Sequence, residues 1–348
     1  MIQETAIILT GGQFDHNSAK TAHGLVRGSE RFKIVAVIDS KSAGLDAGIV
    51  VDGKARQIPV FTSMEYYLAQ ARELASHCII GIANAGGKLP EQLFPVMETA
   101  LRNGMSLVSG MHEFLTDKAR FVQLAAENGA KLIDVRKPKK REDLHFWDGS
   151  IFKVKVPKIA VLGTDCAVGK RTTALLLRNA ARQQGLNSEM IYTGQTGWMV
   201  DGRYGFVFDS TLNDFVSGEL EHAIVNCYEE EAPDLILIEG QAALRNPSGP
   251  CGSEFLVSGN ADGVILVHPP GRIYYKGWEK HGRKIPSLQD EIDLIKMYGV
   301  PTLGIALNTT GLKLKRAKAY QAQYEAELGI PVALPIEEGV DNILAALS

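Results

Sequence analysis

The segment IAVLGTDCAVGKRTTALLL, Ile159–Leu177, decides the reading of this chain. An apolar run predicts a strand, a glycine-bracketed loop follows, and the pattern after Lys170 predicts a helix. That order builds a phosphate site, because glycines let backbone N–H groups converge on an oxyanion at a helix N-terminus. The expected cradle is Gly163, Thr164, Asp165, Cys166 and Ala167, continued by Val168, Gly169, Lys170, Arg171 and Thr172. Two features depart from the common form. Five residues separate Gly163 from Gly169 instead of four, and Arg171 stands where a Ser or Thr normally binds Mg²⁺. Thr172 is rotated about 100° around the helix from that position and replaces the hydroxyl poorly. A loop carrying lysine and arginine suits a pyrophosphate or phosphomonoester held without metal. The alternative is a glycine turn that only packs strand onto helix.

Outward from this loop, short apolar strands alternate with helical patterns along the whole chain. Upstream lie AIILTGG (6–12), FKIVAVID (32–39), CIIGIANAGG (78–87), MSLVSG (105–110) and KLIDV (131–135), with helices expected over 18–27, 91–103 and 117–128. Downstream lie SEMIYTGQTG (188–197), DLILIEGQ (234–241), ADGVILVHPP (261–270), TLGIALNTT (302–310) and PVALP (331–335). The alternation predicts an α/β protein with two mainly parallel sheets. A Rossmann-like domain is expected over 1–150 and a P-loop NTPase-like domain over 151–348. Gly11–Gly12 and Asp39 close the first two strands as in a dinucleotide fold. GGQFDHNS is not GxGxxG, however, so a structural or substrate-binding role is preferred there. The basic run KPKKR (137–141) reads as a solvated linker.

Hydrophobic residues at 45% and charged residues at 22% describe a soluble globular chain. A formal charge of −3 gives no general attraction to nucleic acid or anionic membrane. The four cysteines form no CxxC pair, so neither a disulfide framework nor a zinc site is signalled. No secretion signal and no apolar run near the roughly 20 residues of a membrane span are present. A cytoplasmic protein without nucleic-acid or membrane partners is expected.

The loop resembles that of dethiobiotin synthetase, with GTD, two residues and VGK before the position that here is Arg171. That group's pattern implies an acidic strand end, matched by Glu239, a base-reading asparagine, matched by Asn308, and a homodimer. The combination of GTDCAVGKRTT, YTGQTGWM (192–199), IEGQAAL (238–244) and HPPGR (268–272) behind a Rossmann-like domain resembles the domain-of-unknown-function family 1611 over essentially the full chain. The resemblance implies acetyl transfer from acetyl-CoA to an amino acid, D-glutamate first, in D-amino acid metabolism and with no metal required. An ATP/Mg-dependent ligase or kinase of the dethiobiotin synthetase type is the alternative. A nucleotide-sensing protein without catalysis is a third.

Amide formation from a thioester needs a base for the ammonium and a donor for the developing oxyanion. Glu239, His268 and Asp201 sit at strand ends or turns suited to such work; a supporting, non-catalytic role is open for each. An acidic acceptor needs cations for its carboxylates, and Arg203, Arg245 and Arg272 follow predicted strands. NPSGPCGSEF (246–255) reads as a mobile loop over the site or a long connection. A thiol nucleophile is not expected at Cys251.

Overall fold

The computed structural model describes residues 4–200 and 202–347. Contacts divide the chain into two compact units. The first holds the residues up to Pro138 together with Gln195–Gly202, and the second holds Lys139–Gly194 and the chain from Arg203 onward.

In the first unit β1 (Glu4–Leu9), β2 (Phe32–Ile38), β3 (Val60–Phe61), β4 (His77–Ile80), β5 (Ser106–Ser109) and β6 (Leu132–Asp134) form a parallel sheet in the order β3-β2-β1-β4-β5-β6. Helices α1 (Lys20–Arg27), α2 (Ala47–Asp52), α3 (Met64–Gln70), α4 (Phe94–Arg102) and α5 (Ala119–Glu127) connect them. Ala6–Leu9 and Cys78–Ile80 are buried throughout, as strands covered on both faces must be, which is why they read as unbroken apolar runs. This is the doubly wound Rossmann order that the sequence predicts.

Asp39, the candidate ribose ligand at the end of β2, is committed elsewhere. Its buried carboxylate accepts from Thr10 Oγ1 (2.6 Å) and the N–H groups of Phe14 (3.0 Å), Lys41 (3.1 Å) and Ser42 (3.0 Å). The acid therefore staples the loop after β1 to the loop after β2. Helix α7 (Gln195–Val200) also belongs to this unit. Thr196 Oγ1 lies 3.1 Å from Thr21 Oγ1, and Gln195 Oε1 accepts from Arg136 Nη2 at 2.9 Å. The strand expected over 188–197 thus ends at Tyr192, before this helix begins.

In the second unit β7 (Lys158–Gly163), β8 (Ser188–Tyr192), β9 (Tyr204–Gly205), β10 (Leu235–Glu239), β11 (Gly263–His268), β12 (Thr302–Leu307) and β13 (Val332–Ala333) form a parallel sheet in the order β13-β12-β11-β7-β10-β8-β9. Helices α6 (Lys170–Gln183), α8 (Asn213–Glu231), α9 (Ser253–Val257), α10 (Leu288–Met297), α11 (Leu314–Leu328) and α12 (Asp341–Leu344) cover it. From β7 the chain first builds one side of the sheet, returns to β10 beside β7, then crosses to β11 on the other side. The carboxyl end of β7 is therefore the switch point, where ligands of such sheets bind.

The units part at Pro138 instead of near Ser150, and two buried carboxylates on α8 explain the difference. Glu219 accepts from Lys139 Nζ (2.6 Å) and from His145 N (3.0 Å) and Nδ1 (2.8 Å). Glu221 accepts from Asp148 N (2.8 Å) and Ile151 N (3.0 Å). Of the basic run 137–141, read from sequence as a solvated linker, all five residues are exposed and Lys139 is tied to Glu219, and the segment that follows is pinned along α8 by these bonds.

Asp39→Ala should strand three backbone donors, of which those of Phe14 and Ser42 are buried, while the Thr10 hydroxyl keeps the Ile38 carbonyl (3.1 Å). We expect a loss of roughly 2–4 kcal/mol in urea unfolding of the full chain. Unchanged stability would show that these bonds are replaced by water.

Candidate active site

The phosphate loop is held in shape by its own acid. Asp165 is fully buried, and its carboxylate takes four donors. Oδ1 accepts from Cys166 N (2.6 Å) and Asn246 Nδ2 (2.9 Å), and Oδ2 from Arg272 Nη1 (2.6 Å) and Lys276 N (2.9 Å). Asn246 follows β10, and Arg272 and Lys276 follow β11, so one carboxylate ties three strand-end loops together. Gly163 is required by close approach, since a Cβ there would lie 2.7 Å from Val168 Cγ2. Gly169, at φ +103°, turns the chain into α6 in a conformation that disfavours side chains.

Lys170 begins α6 and is buried, with Nζ bonded to the carbonyls of Asp165 (2.9 Å) and Ala242 (2.6 Å). Burial holds its ammonium below the usual lysine range, opposed by the nearby Cys166, Cys251, Asp165 and Glu239. A desolvated ammonium bonded to two carbonyls at a helix N-terminus is placed to meet a negative ligand.

On the β10 side stands Glu239. Burial raises its carboxyl above the usual range, opposed first by the Arg171 guanidinium, whose Nη1 is 3.9 Å from Oε1, and then by the Thr193 N–H, which donates at 3.1 Å. Arg171 therefore turns toward the acidic strand end. Gln241 and Thr193 complete this flank: Gln241 Nε2 donates to Thr193 Oγ1 (2.9 Å), which donates to the Glu239 carbonyl (2.5 Å). A carboxyl whose burial raises its pKa holds a proton more firmly than an exposed one, which suits it to accept a proton from a bound group.

On the β11 side stands His268, buried, with Nδ1 2.9 Å from Thr164 Oγ1. Burial, reinforced by the Arg272 charge, pushes its pKa down to about 4, so the ring is neutral at pH 7 and a weak base. Beyond it opens a cavity of about 330 Å³, bounded by residues after β11 and by Tyr324 and Leu328 of α11. Because β7 lies between β10 and β11, the two strand ends are two spacings apart, about 10 Å. Glu239 and His268 flank the loop on opposite sides and cannot serve one reacting atom as a contacting pair.

The remaining sequence candidates are distributed differently from expectation. Arg272 grips the loop, bonding Asp165 and the Cys166 carbonyl (2.9 Å). Arg203 pairs with Glu231 at the end of α8 and stacks near Tyr204; among the described residues no bond brings it to the loop. Arg245 donates through Nε to the buried Glu291 (2.8 Å). The three arginines thus form no common clamp. Asn308, the expected base reader, donates to the Val168 carbonyl (2.8 Å) and accepts from Thr310 N (3.0 Å), so it supports the loop. Asp201 lies outside the described residues.

The glycine-rich stretch after Asn246 is a folded connection: Ala243 bridges to Pro250, and Asn246 itself is buried. Burial pushes the Cys251 thiol up to about 12, against a nucleophilic role. Sequence reasoning missed Asn246, Thr193, Gln241 and the Lys276 N–H. Their only local signal is their position just past apolar strands. Among the described residues, no group of three or more His, Cys, Asp or Glu gathers to hold a metal, and no helix is long and apolar enough to cross a membrane.

Residues 145–344 match the domain of unknown function DUF1611_C, described as a P-loop domain, and residues 40–138 match DUF1611_N, described as a Rossmann-like domain. A D-glutamate N-acetyltransferase of Pseudoalteromonas sp is 31% identical over 276 residues, 77% of this chain and 80% of that protein. A D-glutamate N-acetyltransferase of Tritonibacter scottomollicae is 30% identical over 355 residues, 100% of this chain and 99% of that protein. A crystal structure of a DUF1611 family protein from Anabaena variabilis superposes with a TM-score of 0.89 at 32% identity, covering 99% of both chains.

The neutral His268 makes a pH prediction. Its imidazole titrates near 6.5 when unfolded and about 4 when folded, so between these values the unfolded chain binds more protons. Its contribution is complete above pH 6.5 and is lost as pH falls toward 4, up to roughly 3 kcal/mol. His268→Gln should flatten that acid limb in urea unfolding measured from pH 7 to 4. An unaltered limb would show that the ring is solvated.

Proposed function

Because the chain belongs to the DUF1611 family, we propose that it is an N-acetyltransferase moving acetyl from acetyl-CoA to the amine of an acidic amino acid, D-glutamate first. The observation that carries this reading is Arg171. In the position of the magnesium-binding hydroxyl, it sets a guanidinium 3.9 Å from Glu239. Positive charge that a metal would bring to a nucleotide is supplied by the chain itself, which suits the metal-free pyrophosphate of coenzyme A. The names of the two relatives supply the acceptor.

In this reading the N–H groups of the loop and of the first turn of α6, with Lys170, hold the pyrophosphate. Glu239 takes a proton from the acceptor ammonium. The neutral amine attacks the acetyl carbonyl, the tetrahedral oxyanion collapses as the C–S bond breaks, and the proton that the attacking nitrogen sheds is balanced by the one the leaving thiolate takes up; no covalent enzyme intermediate forms. Of the three candidate arginines, Arg245 is placed best for an acceptor carboxylate. It follows β10, is 38% exposed along its side chain, and among the described residues its Nε alone is committed, to Glu291. A cytoplasmic homodimer is part of the same proposal, the compartment resting on the absence of a CxxC pair in the sequence and the assembly on the resemblance to the dethiobiotin synthetase group.

Acetyl-CoA should stabilise the protein without added Mg²⁺, by about 2.7 kcal/mol at 100 times its dissociation constant. Acetyl transfer to D-glutamate should survive EDTA. Mg²⁺-dependent ATP consumption would assign the site to a ligase or kinase instead.

Glu239→Gln keeps the shape and removes the base. We expect kcat to fall by roughly 10²–10⁴ with little change in the KM for acetyl-CoA. Near-native turnover would restrict Glu239 to orienting Arg171.

A further inference from the structure

The cavity on the β11 side of the loop has a built wall. Residues 273–275 and 283–285 run antiparallel, with Tyr275 N bonded to the Arg283 carbonyl and Ile285 N to the Ile273 carbonyl, both at 2.9 Å. The opposite wall is α11, whose Tyr324 meets the His268 ring edge-on at 5.9 Å and stacks with Tyr320 at 5.9 Å between centroids. Ile273, Ile285 and Leu328 make the lining largely apolar. At about 330 Å³ the space is at the low end for small-ligand sites and has room for one part of an extended ligand.

Two charges distinguish the walls. Lys284, on the ribbon, is exposed and has no ion-pair partner among the described residues. Glu327, on α11, keeps anions from the helical wall. An apolar space with an aromatic ring beside it suits a heteroaromatic base. A lone ammonium on the ribbon suits a phosphate carried beside that base. A dicarboxylate would fit poorly, since Arg272, the other cation of the lining, is spent on Asp165.

We propose that this cavity receives the 3′-phosphoadenosine end of coenzyme A, with Lys284 as the contact that recognises the 3′-phosphate. The proposal rests on the acetyl-CoA reading and adds to it the feature by which the site separates coenzyme A from other adenine nucleotides. The acceptor is thereby assigned to the opposite, Glu239 side of the loop.

The test is calorimetric titration of the full chain with coenzyme A, 3′-dephospho-coenzyme A and inorganic pyrophosphate, with Lys284→Gln and Leu328→Trp as variants. Coenzyme A should bind about tenfold more tightly than its dephospho form, as a charge-assisted contact to phosphate requires. Lys284→Gln should erase that difference by weakening coenzyme A alone. Leu328→Trp, which fills the cavity, should weaken both adenine ligands and spare pyrophosphate. Equal affinities for the two coenzymes, or a difference that survives in Lys284→Gln, would overturn the proposal while acetyl transfer stands. If no coenzyme A thioester binds or turns over, the acetyl-CoA reading falls and takes the proposal with it.

Discussion

The candidate site depends on the carboxylate of Asp165. A fully buried anion is costly unless its oxygens are satisfied, and here four donors from the loop itself, the connection after β10 and the segment after β11 converge on it. The charge that must be neutralised is thus also the device that fixes three loops over the carboxyl end of the sheet. Arg272 and Asn246 are recruited by this demand, which removes both from the pool of ligand-binding groups. A phosphate loop is useful only if its N–H groups point inward before the ligand arrives. Asp165 supplies that preorganisation from behind.

What remains in front of the loop is a small set of desolvated charges. Lys170 and Arg171 are set against Glu239, with burial pulling Lys170 toward its neutral form and pushing Glu239 toward its own. Such a group of charges changes state readily when a phosphate arrives or a proton leaves, as a site for group transfer needs. The two flanks are chemically unequal: a carboxyl and guanidinium on the β10 side, and a neutral imidazole and mostly apolar cavity on the β11 side. Strand order enforces the separation, because β7 and its loop stand between them.

The N-terminal unit shows how a fold and its usual ligand part company. Its strand order is that of a dinucleotide fold, and Asp39 ends β2 where a ribose ligand would stand. Yet Asp39 accepts from Thr10, Phe14, Lys41 and Ser42, so its lone pairs are taken. The missing GxGxxG turns the reading from dinucleotide binding toward a structural or substrate-binding role, and the bonds at Asp39 leave it no lone pair for a ribose. In both units an aspartate that looks like a ligand in the sequence is a staple in the structure.

By itself the sequence determined the architecture: long apolar runs ending in small or polar residues are unambiguous when strands are buried on both faces. It also determined the loop, since strand, glycines, lysine and helix are contiguous and their geometry is local. The exchange of a hydroxyl for Arg171 is legible in the same way. Short strands such as Val60–Phe61 and Tyr204–Gly205, and the start of the second unit at Lys139, depend on pairing partners distant in sequence and leave no periodic signal. Only the tertiary structure decided which charges are free. Arg203, Arg245 and Arg272 look alike as strand-end cations, but Glu231, Glu291 and Asp165 claim them through contacts 28, 46 and 107 residues apart in the chain. A charged side chain's availability depends on the partner that burial brings to it, and burial is a property of the folded chain.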